Sequence, residues 1–221
     1  MLSFFKQFKL FWISFLILSI IIILIFYSIL KPTKTLPIYQ PSRVNAEMVD
    51  DSIQHISKYH KIADFSLINQ NGKIVTQEDY KDKIYVADFF FTTCQSICPI
   101  MTDHMVKIQN EIKNDDEVML LSHSVTPQID SVAQLKRYAK EKGVMDSKWN
   151  LVTGDKKEIY ALARRSYMAV KTDGNGDEYD MIHTENFMLI DKNRQIRGYY
   201  DGTKSEEIDR LLEDIKVLKK E

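Results

Sequence analysis

Hydrophobic positions divide the chain into two regions of different period. From Leu10 to Leu30 the sequence reads LFWISFLILSIIIILIFYSIL, 21 residues with no charge and only three serines. At 1.5 Å per residue this is about 31 Å of helix, matched to a hydrocarbon core of roughly 30 Å. The run is too long for the apolar part of a signal peptide. Lys31-Pro32-Thr33-Lys34 also follows it where a small-residue cleavage site would stand. The expectation is a retained transmembrane helix over residues 10–30. Lys6 and Lys9 lie on a short tail without acids, residues 1–9, which favours a cytoplasmic N-terminus and an extracytoplasmic C-terminal domain.

Beyond the apolar run the pattern breaks up. Residues 31–59 carry Pro32, Pro37 and Pro41 without a sustained apolar period and read as a tether. Strand and helix periods then alternate. Phe65–Ile68 and Lys73–Val75 flank Asn69-Gln70-Asn71-Gly72, a hairpin with its turn glycine. Ile84–Phe91 is nearly all apolar, as a strand covered on both faces is. Ile100–Lys113 has helical character, and Glu117–His123 is the next strand. Asp130 is placed to cap a helix with Val132, Leu135 and Ala139 on one face, ended by Gly143. Trp149–Thr153 reads as a strand and Asp155–Ser166 as a helix. Asn186–Asp191 and Ile196–Tyr200 form an antiparallel pair, and Ser205 opens a last amphipathic helix. This order predicts an α/β domain over residues 60–221, a mixed sheet flanked by helices in thioredoxin-like sequence.

Composition narrows the classes. The hydrophobic share of 44% and the charged share of 28% are those of a globular protein, and 30 Lys+Arg against 31 Asp+Glu leave a net charge of −1. That balance excludes a surface coated for nucleic acid. Two cysteines exclude a framework of structural disulfides, and Cys94 and Cys98 are too close in sequence to constrain much chain entropy. The pair is better suited to chemistry.

The strand Ile84–Phe91 runs into Thr92-Thr93-Cys94-Gln95-Ser96-Ile97-Cys98-Pro99. Pro99 lacks an amide hydrogen and suits a first helical turn, so the helix is expected from about Pro99 with Cys98 at its margin. Free amides and the dipole at that end favour thiolates. Three residues between the cysteines allow two outcomes. The pair can close a disulfide at about 2.05 Å, or spread to the roughly 4 Å bite of one metal ion. Soft thiolates select Cu(I) or Zn(II), and an added imidazole favours copper.

Five histidines are available for that third place. His55 and His60 are expected on the surface, and His104 is carried away from the thiols by its helix. His123 ends a strand beside the site and is a minor candidate. His183 precedes the strand Phe187–Asp191, and in a thioredoxin-like sheet the loop entering that strand faces the cysteine loop. Asp88, an acid within the apolar strand, has two readings: a proton relay to Cys98, or a carboxylate bonded to neighbouring backbone. Asp173-Gly174-Asn175-Gly176-Asp177 begins like a calcium loop, but Glu178 stands where glycine is needed and Thr184 where Glu is needed. It reads as a polar turn. Met101, Met105, Met181 and Met188 read as core filler.

The segments TTCQSICP, SVTPQIDS, KWNLVTGD and IHTENFMLIDKNRQIRGYYDG together resemble the Sco (SenC) family, from about Phe65 to the end. The resemblance implies a membrane-anchored thioredoxin-like domain that binds one copper through two cysteines and a histidine. It also implies a part in supplying the dinuclear copper centre of cytochrome c oxidase. Matched to that motif, the ligands are Cys94, Cys98 and His183. Two positions depart from the family pattern: Gln95 stands where proline commonly follows the first cysteine, and Thr126 stands where an aspartate commonly precedes Pro127. Three function classes follow. The first is a copper metallochaperone, Cu(I) or Cu(II), serving the copper-bearing oxidase subunit or another cuproprotein. The second is an extracytoplasmic thiol–disulfide reductase with Cys94 and Cys98 as its redox pair. The third is a thiol peroxidase, disfavoured because its Thr-x-x-Cys environment and activating arginine are not recognisable.

Overall fold

The computed structural model describes residues 8–30, 34–46, 49–170, 176–177 and 180–221. The chain divides into two units, Met1–Thr35 and Leu36–Glu221. The first holds α1 (Lys9–Leu30), a helix of 22 residues that is apolar all round and long enough to cross a membrane.

The second unit is built on a seven-stranded sheet. Its strands are β1 (Ser66–Asn69), β2 (Ile74–Thr76), β3 (Ile84–Phe90), β4 (Val118–Ser124), β5 (Trp149–Thr153), β6 (Asn186–Ile190) and β7 (Ile196–Asp201), in the order β2-β1-β5-β4-β3-β6-β7. Strands β3, β4 and β5 are parallel, while β6 joins β3 antiparallel on the other side. This is the mixed sheet expected from the sequence. Every residue of β3 is buried, because helices cover both faces.

Alternation along β3 separates two cores. Ile84, Val86 and Phe90 face α2 (Cys98–Ile112), α3 (Val132–Lys142) and α5 (Ser205–Leu218). Tyr85, Ala87 and Phe89 face the opposite core, which contains Ile159, Tyr160 and Tyr167 from α4 (Lys156–Ala161) and its continuation. That continuation, Leu162–Ser166, winds as a π-turn closed by the Tyr167 amide on the Leu162 carbonyl at 2.8 Å. The sequence reading gave one regular helix there.

Several local expectations need correction. Asp130 does not cap α3; Ser131 does, its hydroxyl accepting the Gln134 amide at 3.3 Å, and Gly143 ends the helix at φ 71°. Asp130 is instead buried in a network described below. His60 is not a surface residue: its Nε2 donates to the Ser166 carbonyl at 2.8 Å, and its amide donates to Gln40 Oε1 at 2.9 Å. Met181 is exposed and is not core filler, whereas Met101, Met105 and Met188 are buried.

The segment read as a tether packs onto the second unit from Leu36 onward. Leu36 is buried, its amide donates to Glu221 Oε1 at 2.7 Å, and Arg197 donates to its carbonyl at 2.7 Å. The Tyr39 amide donates to the Ile196 carbonyl of β7 at 2.9 Å, and the Tyr39 ring meets Tyr199 edge-on. Most of the polar turn expected at Asp173–Asp177 lies outside the described residues, as do residues 1–7 of the tail.

Candidate metal centre

Both cysteines lie beyond the carboxyl end of β3, where open α/β sheets carry their sites. The loop turns back at once: the Cys94 amide donates to the Phe91 carbonyl at 3.3 Å. Helix α2 starts at Cys98, with Pro99 in its first turn as the sequence required. Cys98 is buried, Cys94 is half-buried, and both are free thiols.

The two thiols are chemically unequal. Burial acts to raise Cys94, but hydrogen bonds from the Ser96 and Cys98 side chains and from both backbones outweigh it and bring the thiol down to about 6. The Ser96 hydroxyl lies 3.5 Å from the sulfur. Burial pushes Cys98 up to about 12, reinforced by its donation to Cys94. One sulfur is therefore thiolate at neutral pH, and the other holds a proton that it shares with the first.

Asp88 occupies the β3 face that carries Cys98. Burial pushes its carboxyl up to about 7, against the hydrogen bond from Ser122, its cross-strand partner. The Ser122 hydroxyl in turn accepts from Trp149 Nε1 at 2.8 Å. The carboxyl is thus bonded to a side chain, where the sequence left open a proton relay or a bond to neighbouring backbone.

His183 stands in the loop entering β6, exposed, with its ring edge-on to Phe91 at a centroid distance of 6.3 Å. That contact sets His183 beside Phe91, the residue from which the cysteine loop departs. Cys94, Cys98 and His183 are not gathered to ligating distance, and no group of three metal-binding side chains occurs among the described residues. Two thiols already in mutual contact fit a soft ion.

The other histidines are accounted for elsewhere. His104, half-buried, donates from Nδ1 to the Gly202 carbonyl at 2.7 Å. His55 is exposed. His123 lies in the core on the other face of the sheet, stacked on Phe89 at 4.8 Å with its Nδ1 against the Asp88 carbonyl. Burial lowers it to about 4, and its Nε2 has no partner among the described residues.

A polar network that sequence reasoning missed braces the start of the cysteine loop. Buried Asp130 accepts from the Thr92 amide at 3.2 Å, the Thr92 hydroxyl at 2.6 Å, the Ser124 hydroxyl at 2.6 Å and the Thr126 hydroxyl at 3.1 Å. It ties the loop after β3 to the loop after β4. Thr126, where the family pattern commonly carries an aspartate, feeds this same carboxylate.

The sequence profile described as SCO1/SenC matches residues 53–220. The SCO1 protein homolog of Bacillus subtilis (strain 168) is 32% identical over 159 residues, covering 71% of this chain and 82% of that protein. Among solved structures, BsSco superposes with a TM-score of 0.62 at 32% identity, covering 72% of this chain and 93% of the other. It is described as a member of the Sco family of cytochrome c oxidase assembly proteins with a disulfide switch. ScoI of Arabidopsis thaliana, solved with copper bound, superposes with a TM-score of 0.55 at 28% identity, covering 70% and 97%. The chain belongs to the SCO1/SenC family, and its fold is the thioredoxin-like fold of that family.

Proposed function

We propose that this chain is a membrane-anchored copper metallochaperone. Its cargo is one copper ion held by Cys94, Cys98 and His183, delivered to the copper-bearing subunit of cytochrome c oxidase or another cuproprotein. Helix α1 is the anchor, with the C-terminal domain outside the cytoplasm. The observation that carries the reading is the unequal thiol pair at the start of α2, with His183 against Phe91 at the root of the same loop. Relatives with copper bound and in oxidase assembly support it.

The chain's own chemistry follows from the thiols. Cys94 meets a soft cation already ionised, so its loading costs no proton at neutral pH. Cys98 must give up its proton when it becomes a ligand, and Asp88 is an acid whose charge reaches it. A neutral imidazole adds a third donor without adding charge, which matters most for Cu(II).

The same inequality favours a second reading, a thiol–disulfide reductase. An ionised, partly exposed Cys94 is built to attack a disulfide, and a buried Cys98 to resolve the mixed disulfide. Copper titration of reduced and oxidised protein separates the two. A chaperone takes up one copper per chain when reduced and none when oxidised. Cys94→Ala and Cys98→Ala abolish uptake, and His183→Ala loses stable Cu(II) with its sulfur-to-copper absorption while keeping Cu(I). If His183→Ala binds both states normally, the reductase is the better account. A periplasm-only reporter fused to the C-terminus tests the orientation and should be active.

A further inference from the structure

We propose that Arg164 and Asp180 form a buried clasp that positions His183 for copper. The inference rests on the assignment of His183 as the third ligand. It starts from the π-turn Leu162–Ser166, where the widened turn carries the Arg164 side chain inward to 6% exposure. Such insertions into helices concentrate at functional sites.

The guanidinium meets the Asp180 carboxylate in two parallel hydrogen bonds of 2.8 and 2.7 Å, and the carboxylate side chain is also 6% exposed. A forked pair of this kind fixes direction as well as distance. Asp180 lies three residues before His183 and is held by more than its carboxylate. Lys156 Nζ donates to its carbonyl at 2.7 Å. The Tyr160 hydroxyl lies 3.0 Å from that carbonyl and accepts the Ile182 amide at 3.4 Å.

Ile182, just before His183, is buried, and on the far side the Thr184 hydroxyl donates to the Ala169 carbonyl at 3.0 Å. The imidazole therefore hangs exposed from a short segment moored before and after it. Without the clasp the first mooring keeps only its backbone bonds, and the ring samples a wider range of positions. Arg164 and Asp180 touch neither cysteine nor copper, so they act as positioning residues. Outer contacts of this kind typically change metal affinity by about 10- to 100-fold.

The test uses full-length reduced protein in detergent, loaded with Cu(II) and challenged with a competing chelator. Arg164→Met, Asp180→Asn and the double variant Arg164→Met/Asp180→Leu are compared with the parent and with His183→Ala. The double variant removes both charges of the pair together, and thermal melts check that each variant is folded. The expected result is Cu(II) affinity lowered by about tenfold or more, with Cu(I) affinity and thiol count unchanged. In the His183→Ala background the same substitutions should add nothing further. Parental Cu(II) affinity in the folded double variant overturns the clasp, as does an equal loss in the His183→Ala background. If His183→Ala alone keeps parental Cu(II) affinity, the ligand assignment fails and the clasp falls with it.

Discussion

The ring of Phe91 stands edge-on to the imidazole of His183, while the Phe91 carbonyl accepts the amide of Cys94. One residue at the end of β3 thus touches both loops from which the proposed ligands come. Its side chain spaces the histidine from the thiols, and its backbone sets the first bend of the thiol loop. The proposed site thus lies at the end of β3, a strand buried at every residue.

The inequality of the thiols gives an alkylation profile. Iodoacetamide should modify Cys94 with a midpoint near pH 6 and leave Cys98 unmodified at neutral pH. In Cys98→Ala one donor to the Cys94 thiolate is gone, so the midpoint should rise. Peptide mass spectrometry after timed alkylation reads both. Equal labelling of the two cysteines at pH 7 contradicts the asymmetry.

Asp88 and His123 should tilt the pH dependence of stability in opposite directions. Asp88 is raised from 3.8 to about 7, so between those values the folded chain holds a proton that the unfolded chain has lost. Its contribution is present below pH 3.8 and is lost as pH rises towards 7. His123 is lowered from 6.5 to about 4, so here the unfolded chain binds the extra proton. Its contribution is present above pH 6.5 and is lost as pH falls towards 4. Within its window each group imposes a slope of up to about 1.4 kcal/mol per pH unit, and the slopes offset one another. Urea denaturation at pH 4, 5.5 and 7 should show Asp88→Asn gaining stability as pH rises. His123→Phe should lose it over the same range. Parental profiles in both variants would sink the argument.

Removing the Asp130 carboxylate strands four donors at once. Asp130→Ala should destabilise the domain by on the order of 3 kcal/mol, because the Thr92, Ser124 and Thr126 hydroxyls are then left without their acceptor. Thr126→Val removes only one 3.1 Å bond and should cost about 1 kcal/mol. Equilibrium denaturation measures both. A smaller loss for Asp130→Ala than for Thr126→Val would show that the network is not centred on Asp130.

Local pattern made much of this protein legible. The nearly all-apolar Ile84–Phe91 read as a strand covered on both faces, and Pro99 located the start of α2 to within a residue. Long-range polar contacts left no such trace. Asp130 precedes a helix, so it read as a cap, yet its carboxylate is taken by Thr92, 38 residues away. His60 looked exposed in a proline-bearing segment because its acceptor, Ser166, is 106 residues distant. Arg164 and Asp180 meet across 16 residues from a widened helical turn, which no apolar period records. The cysteines stood out as candidates by spacing and His183 by its place before β6, while the buried setting of Asp88 was legible from the strand around it.

The lead-in segment at Tyr39 has a consequence for solubility. Strand β7 is the last of its sheet, and its outer side would offer unpaired backbone groups to any passing strand. The Tyr39 amide on the Ile196 carbonyl and the Tyr39 ring against Tyr199 shield that side. A soluble fragment starting at residue 36 keeps the shield, whereas one starting at residue 45 strips it away. The shorter fragment should self-associate through β7 as its concentration rises, and sedimentation of the two side by side would show it. Equal monomer content in both would mean that β7 is protected by other means.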